Sequence, residues 1–188
     1  MSRPTYAVVH CASEMTPLAK VGGLGDVVGA LAAEQARRGH RVTVALPAYR
    51  ALAVPPGWTR RRLPGCEVPW GLGMEPAGFE LISPPASGDG ADGAPAAGGG
   101  SLEVLLVEHL GERRFFDRAG IYDDSARGQS YPDGAERFVF FARAALQALA
   151  RRGEPLDILH AHDHQAGWVP CFARTHFAAE PAFASAAT

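Results

Sequence analysis

Two short stretches of this sequence concentrate side chains capable of chemistry. The first is Lys20-Val-Gly-Gly-Leu-Gly-Asp26 and the second is His160-Ala-His162-Asp163-His164. Glycines let backbone N–H groups come close to a ligand, and a helix opening behind them favours an anion. The dinucleotide fingerprint is not met, because Gly23, Gly25 and Gly29 give G-x-G-x-x-x-G, one residue too long. Leu46-Pro47 also stands where an acidic residue would hold a ribose. In a Walker loop the lysine follows the glycines, whereas Lys20 precedes them. The loop therefore suits a phosphate or a polar sugar rather than NAD or ATP. Lys20 is the only lysine among the 18 basic side chains. Arginine has replaced lysine everywhere else, so this position either needs a compact ammonium on a flexible stem or holds a neutral survivor.

The histidine stretch follows a short apolar run, Leu156-Asp-Ile-Leu-His160, that reads as a buried strand. The carboxyl end of a parallel strand is where α/β folds place ligands. Alternating histidines also fit a metal-dependent hydrolase built on His160, His162 and His164. A third reading is a packed histidine with Asp163 capping a helix through Phe172. No cysteine cluster or second histidine–carboxylate motif accompanies them, so neither a metal nor a cofactor is expected. Arg114-Phe-Phe-Asp-Arg-Ala-Gly-Ile-Tyr122 and Tyr131-Pro-Asp-Gly-Ala-Glu-Arg-Phe138 add aromatics beside Asp and Arg. Such a set suits a sugar surface and equally a core loop.

These residues need elements to hold them. Tyr6 to Ala12 reads as a strand, and Leu24, Val27, Val28, Leu31 and Ala32 recur at helical spacing until Arg37-Arg38-Gly39. Arg41 to Leu46 is the next strand, giving a β-loop-α-β unit with parallel strands and a right-handed crossover. Asp133 and Glu136 have capping-box spacing ahead of the stripe Phe138, Val139, Ala142, Ala145, Leu146 and Leu149, and Gly153 and Pro155 stop that helix. Gly78 to Ser83 and Leu102 to Val107 are short apolar runs. Between them, Ser83 to Ser101 is almost wholly Gly, Ala, Pro, Ser and Asp and is expected to be a flexible loop. Ala178 to Thr188 reads as a weak alanine-rich tail. The fold class is α/β, a Rossmann-like parallel sheet flanked by helices.

Composition excludes several functions. With 47% apolar and 20% charged residues over 188 positions, the chain can bury one substantial core, so one domain is expected. The formal net charge of -2 leaves no footprint for nucleic acid, and Arg60-Arg61-Arg62 is short enough to be a solvated strand end. No stretch approaches the ~20 apolar residues of a membrane span. Cys11, Cys66 and Cys171 are odd in number and widely spaced, which fits reduced thiols in a cytoplasmic protein.

Four segments, in order, resemble the ADP-glucose-dependent glucan synthases, bacterial glycogen synthase and plant starch synthase. They are Lys20-Val-Gly-Gly-Leu-Gly-Asp-Val-Val28, Phe115 to Tyr122, Tyr131 to Phe138, and Ile158-Leu-His-Ala-His-Asp-His-Gln-Ala-Gly167. The resemblance implies the N-terminal half of a two-domain GT-B glycosyltransferase, with the active site between two Rossmann-like domains. Residues 1–188 would form that first domain, and a C-terminal nucleotide-binding domain with the family's Arg, Lys and Glu catalytic groups would be absent. The reaction implied is transfer of glucose from ADP-glucose to the non-reducing end of an α-1,4-glucan such as glycogen or a maltooligosaccharide, with retention. It also implies roles: Lys20 at the diphosphate of ADP-glucose, Gly22 and Gly23 offering amides nearby, and Asp26 on a sugar hydroxyl. His162 and Asp163 would lie beside the transferred glucose. His164 departs from the family, which usually has tryptophan there. The isolated half is expected to be inactive alone, with one sheet edge lacking its neighbour. A non-catalytic glucan-binding remnant and a GT-B transferase for another nucleotide sugar remain the alternatives beside the hydrolase.

Overall fold

The computed structural model describes residues 4–85, 100–124 and 127–188. β1 (Ala7–Cys11) leads through a loop into α1 (Gly23–Arg37), which returns as β2 (Arg41–Pro47). A hairpin of long strands follows, β3 (Thr59–Trp70) and β4 (Gly73–Ser83), then β5 (Ser101–His109). The next loop carries a two-strand ribbon, β6 (Asp123–Asp124) and β7 (Gln129–Ser130), before α2 (Gly134–Arg152). β8 (Ile158–Ala161), a 3-10 turn (His164–Ala166), α3 (Trp168–Arg174) and a second 3-10 turn (Pro181–Phe183) complete the chain.

Among the described residues the main sheet has six strands in the order β3-β4-β5-β2-β1-β8. β5, β2, β1 and β8 are parallel, whereas β4 pairs antiparallel with β5 and β3 antiparallel with β4. The Rossmann-like parallel half is therefore extended by an antiparallel hairpin into a mixed sheet. Its turn is Gly71-Leu72, with Gly71 at φ 57, a conformation only glycine reaches freely. Arg60 and Arg62, two of the arginine run, point to one face of β3 and bond Glu80 and Glu108. The run is a solvated strand, as its length suggested.

β1 is buried at all five positions, as a strand covered on both faces must be. The crossover through α1 places β2 on one side of β1, and the later crossover through α2 places β8 on the other. Strand order thus reverses between β1 and β8, and the crevice at their carboxyl ends is the topological switch point where such sheets bind ligands. The Lys20 loop leaves β1 there, and the histidine stretch leaves β8.

α2 buries Phe138, Ala142, Ala145, Leu146 and Leu149 and ends on Gly153 in the left-handed region. Asp133 sits at its N-cap, yet the capping box does not form. The Asp133 carboxylate bonds Arg118 (2.7 Å) and Glu136 pairs with Arg113. Guanidinium partners in the preceding loop outcompete neutral amides, because charge-assisted bonds are the stronger ones. β8 begins two residues later than the apolar run, since the Asp157 carboxylate accepts the Ala7 N–H (2.7 Å) and Leu156 N–H goes to Ala182 O.

The alanine-rich tail is a correction. Ala182, Phe183 and Ala186 are buried, and Ala187 forms a parallel bridge to Ile158 on the outer edge of β8. Small side chains pack closely, so low side-chain bulk does not make the segment weak. The expected bare edge is covered at that point. The Ser83 to Ser101 loop is flanked by the end of β4 and the start of β5, as expected; residues 86–99 lie outside the described residues. No helix among the described residues is long and apolar enough to cross a membrane.

Because Phe183 is 3% exposed and packs edge-on against Phe177, Phe183→Ala should cost about 3–5 kcal/mol in a denaturant titration. A loose tail would lose less than about 1 kcal/mol.

Candidate active site

The glycine loop is shaped by a residue that the sequence reading passed over. Glu14 follows β1 and is 3% exposed. Its Oε2 accepts N–H bonds from Val21 (2.6 Å) and Gly22 (2.9 Å), and its Oε1 accepts from the Tyr122 hydroxyl (2.7 Å). The same hydroxyl meets Ser13 Oγ at 2.8 Å. Burial pushes the Glu14 carboxyl up, but the Gly22, Val21 and Tyr122 donors outweigh it and hold the group below its ordinary value. The Gly22 amide expected to face a ligand is therefore already donated to Glu14. An acid directly after an apolar strand was the available signal, since a charge there needs partners.

Lys20 Nζ bonds both carboxylate oxygens of Asp26 (2.7 and 2.8 Å), and Thr16 Oγ1 adds a third bond at 3.1 Å. The Lys20 bonds, then Thr16, hold Asp26 below the usual carboxylate range. Both partners are about half exposed, with side chains 50% and 56% accessible, so water screens the pair and an incoming anion can exchange for Asp26. The glycines divide by role. A Cβ at Gly29 would lie 2.6 Å from Thr16 O, so that glycine exists for the approach of α1 to the loop. A Cβ at Gly22 or Gly23 would meet nothing within 4 Å. The fold itself does not require those two glycines, which leaves a surface open to a ligand.

At the neighbouring strand, His10 and His160 are register partners across β1 and β8. His10 Nδ1 lies 2.9 Å from His162 Nε2, and His10 Nε2 lies 2.7 Å from Gln35 Oε1 on α1. The His160 and His162 rings stack at 4.1 Å. Burial, then the proximity of His160 and His10, pulls the His162 pKa down to about 4, so the ring is neutral at physiological pH.

The trio His160, His162 and His164 does not assemble. Asp163 takes φ 60 and ψ 179, a region almost confined to glycine, and turns His164 out to 82% side-chain exposure. His10 takes its place, and ring nitrogens of His10, His160 and His162 come within 4.8 Å of one another. In this arrangement two of the three donors, His10 and His162, are hydrogen-bonded to each other. The Asp163 carboxylate accepts the His164 N–H (2.7 Å), which caps a single 3-10 turn, while α3 starts afresh at Trp168. The expected helix from Asp163 through Phe172 is broken by that turn.

Of the aromatic segment, Phe115, Phe116 and Ile121 are core, and Tyr122 reaches Glu14. Arg137, 1% exposed, stacks its guanidinium near Phe116, Tyr131 and Phe138 and donates to Ile121 O. The core-loop reading therefore holds for most of this stretch. Tyr122 is the link between loops: it bonds Glu14, and the negative charge of Asp163 is close enough to raise its pKa further, after burial and Glu14.

Strand order and switch point define a Rossmann-like α/β domain, and its likeness to a GT-B glycosyltransferase domain gives its class. The family model of the starch synthase catalytic domain matches residues 7–188, and the chain belongs to that family. It is 39% identical over 181 residues to the glycogen synthase of Syntrophotalea carbinolica and 36% identical to glycogen synthase 2 of Geobacter sulfurreducens. In each case the match covers 96% of this chain and 33% of the relative. The catalytic domain of starch synthase IV from Arabidopsis thaliana, solved with ADP and acarbose, superposes with a TM-score of 0.79 at 30% identity. That match covers 97% of this chain and 33% of the other. The chain thus spans about a third of the length of these relatives.

Glu14 supplies a pH prediction. Its folded pKa lies below its ordinary value of 4.5, so its contribution to stability is full above about pH 4.5 and is lost as pH falls through the folded pKa. Glu14→Gln should flatten the acid limb of a stability-versus-pH curve. At pH 7 it should cost about 1–3 kcal/mol, because the Val21 and Gly22 N–H groups and the Tyr122 hydroxyl lose an ionised acceptor.

Proposed function

We propose that this chain forms the acceptor-side domain of an ADP-glucose-dependent α-1,4-glucan synthase, one of two Rossmann-like domains that together enclose the reaction. The observation that carries the reading is the convergence of the Lys20 loop and His162 on the crevice between β1 and β8. Membership of the starch synthase family and the likeness to a relative solved with ADP and acarbose support the donor and the sugar acceptor.

In this reading Lys20 leaves Asp26 for the diphosphate of the donor, and its charge offsets the negative charge that grows on the departing ADP. Asp26, released from Lys20, becomes an acceptor for a sugar hydroxyl. Gly23 and the open face of Gly22 give the donor room to approach, while Glu14 holds the Gly22 amide and with it the loop. His162 and Asp163 lie on the sugar side. The leaving-group and nucleotide contacts beyond Lys20 belong to the second domain. The protein is cytoplasmic in this reading, in keeping with three free cysteines, among which buried Cys11 has its thiol pushed up to about 12.

The test is incorporation of labelled glucose from ADP-glucose into glycogen by the protein carrying both domains. Lys20→Ala should lower turnover roughly 10²–10³-fold, the effect of losing one well-placed charge in a preorganised site. Its melting temperature should stay within a few degrees, since the Lys20–Asp26 pair is solvent-exposed. Unchanged turnover would overturn the role of Lys20. The 188-residue chain alone should incorporate none.

A further inference from the structure

The His10–His162 contact carries information that distance alone does not. A carboxamide oxygen only accepts, so Gln35 Oε1 requires a proton on His10 Nε2. Burial, only partly countered by the Gln35 bond, lowers the His10 pKa and keeps the ring neutral. A neutral ring with its proton on Nε2 has a bare Nδ1, and the 2.9 Å contact then requires the proton on His162 Nε2. His162 is neutral too, so its own Nδ1 is left as the ring's lone pair.

We infer that Gln35 and His10 are positioning residues that hold His162 in a single orientation as its Nε2–H tautomer, presenting Nδ1 as a hydrogen-bond acceptor. The chain of bonds runs from α1 through β1 to the loop after β8, so it spans the two sides of the switch point. His162 makes no other side-chain hydrogen bond among the described residues. The stacked His160 ring covers one of its faces and donates nothing to it. A ring so held accepts from a hydroxyl and does not donate to one. This inference rests on the reading of His162 as a sugar-side residue only for its consequence in turnover; the tautomer itself is independent of that reading.

The experiment is long-range 1H–15N correlation NMR on the 15N-labelled chain, in which protonated and bare imidazole nitrogens are separated. The wild-type chain at pH 7 should show both His10 and His162 as Nε2–H. Gln35→Leu removes the acceptor and should give mixed tautomers at both rings. Gln35→Glu, which offers only acceptor oxygens, should restore the single tautomer. A wild-type His162 with its proton on Nδ1, or a tautomer unmoved by Gln35→Leu in a folded protein, would overturn the inference. In the two-domain protein, Gln35→Leu should lower kcat about tenfold with a smaller change in KM for ADP-glucose, and Gln35→Glu should recover most of it. If His162→Ala leaves turnover intact while the NMR result holds, the sugar-side role of His162 fails and the positioning chain stands.

Discussion

A buried carboxylate organises this domain's ligand edge. Glu14 cannot stay ionised beneath a loop without donors, and it collects three of them from two separate pieces of chain. Val21 and Gly22 come from the glycine loop, and the Tyr122 hydroxyl comes from the long connection before α2. Each bond to an ionised acceptor is stronger than its neutral counterpart, and leaving any donor unpaired here would cost its desolvation. The loop conformation follows from that requirement. Gly22, which has no side chain to cap α1, takes an extended backbone at its N-cap and donates its amide to Glu14.

The second constraint is topological. Parallel pairing of β1 with both β2 and β8 places β1 between them and forces the chain to reverse direction along the sheet. Two loops distant in sequence then open onto one crevice. Residues 10 and 160 become neighbours through register, and residue 162 follows. The alternation of strand side chains keeps His160 and His162 close enough to stack, while Asp163, at a backbone angle that costs of order 1–3 kcal/mol, ends the alternation and sends His164 to solvent. Strain of that size persists only where surrounding contacts over-determine it, and it coincides here with the candidate site.

These features suit a transferase that moves a sugar between two anchored partners. In the proposed reading the charged donor meets an exposed, exchangeable ion pair, so binding would exchange one partner of Lys20 for another and strip little solvent. The His10–His162 cluster, the sugar side in that reading, is the opposite case, with neutral imidazoles held by hydrogen bonds and buried. A half-exposed cation and a buried neutral acceptor lie on adjacent loops because one leaves β1 and the other β8.

Much of this was legible in the amino-acid sequence. Hydrophobic periodicity located β1, α1, β2 and α2, since those elements bury one continuous stripe or a whole strand, and glycine and proline marked their ends. Short spacing made the two motifs around Lys20 and His162 stand out, while the roles of Lys20, Gly22, Gly23, Asp26, His162 and Asp163 rested on the family resemblance. What the sequence could not convey was partnership over long separations. Glu14 meets Tyr122 across 108 positions, and His10 meets His162 across 152. Local pattern carries no signal for such pairs, because parallel register is set only when the sheet assembles. The same reason explains the false expectations. Asp133 looked like a cap until Arg118 took its carboxylate, the tail looked weak until β8 offered it an edge, and His164 looked like a ligand until Asp163 turned the chain.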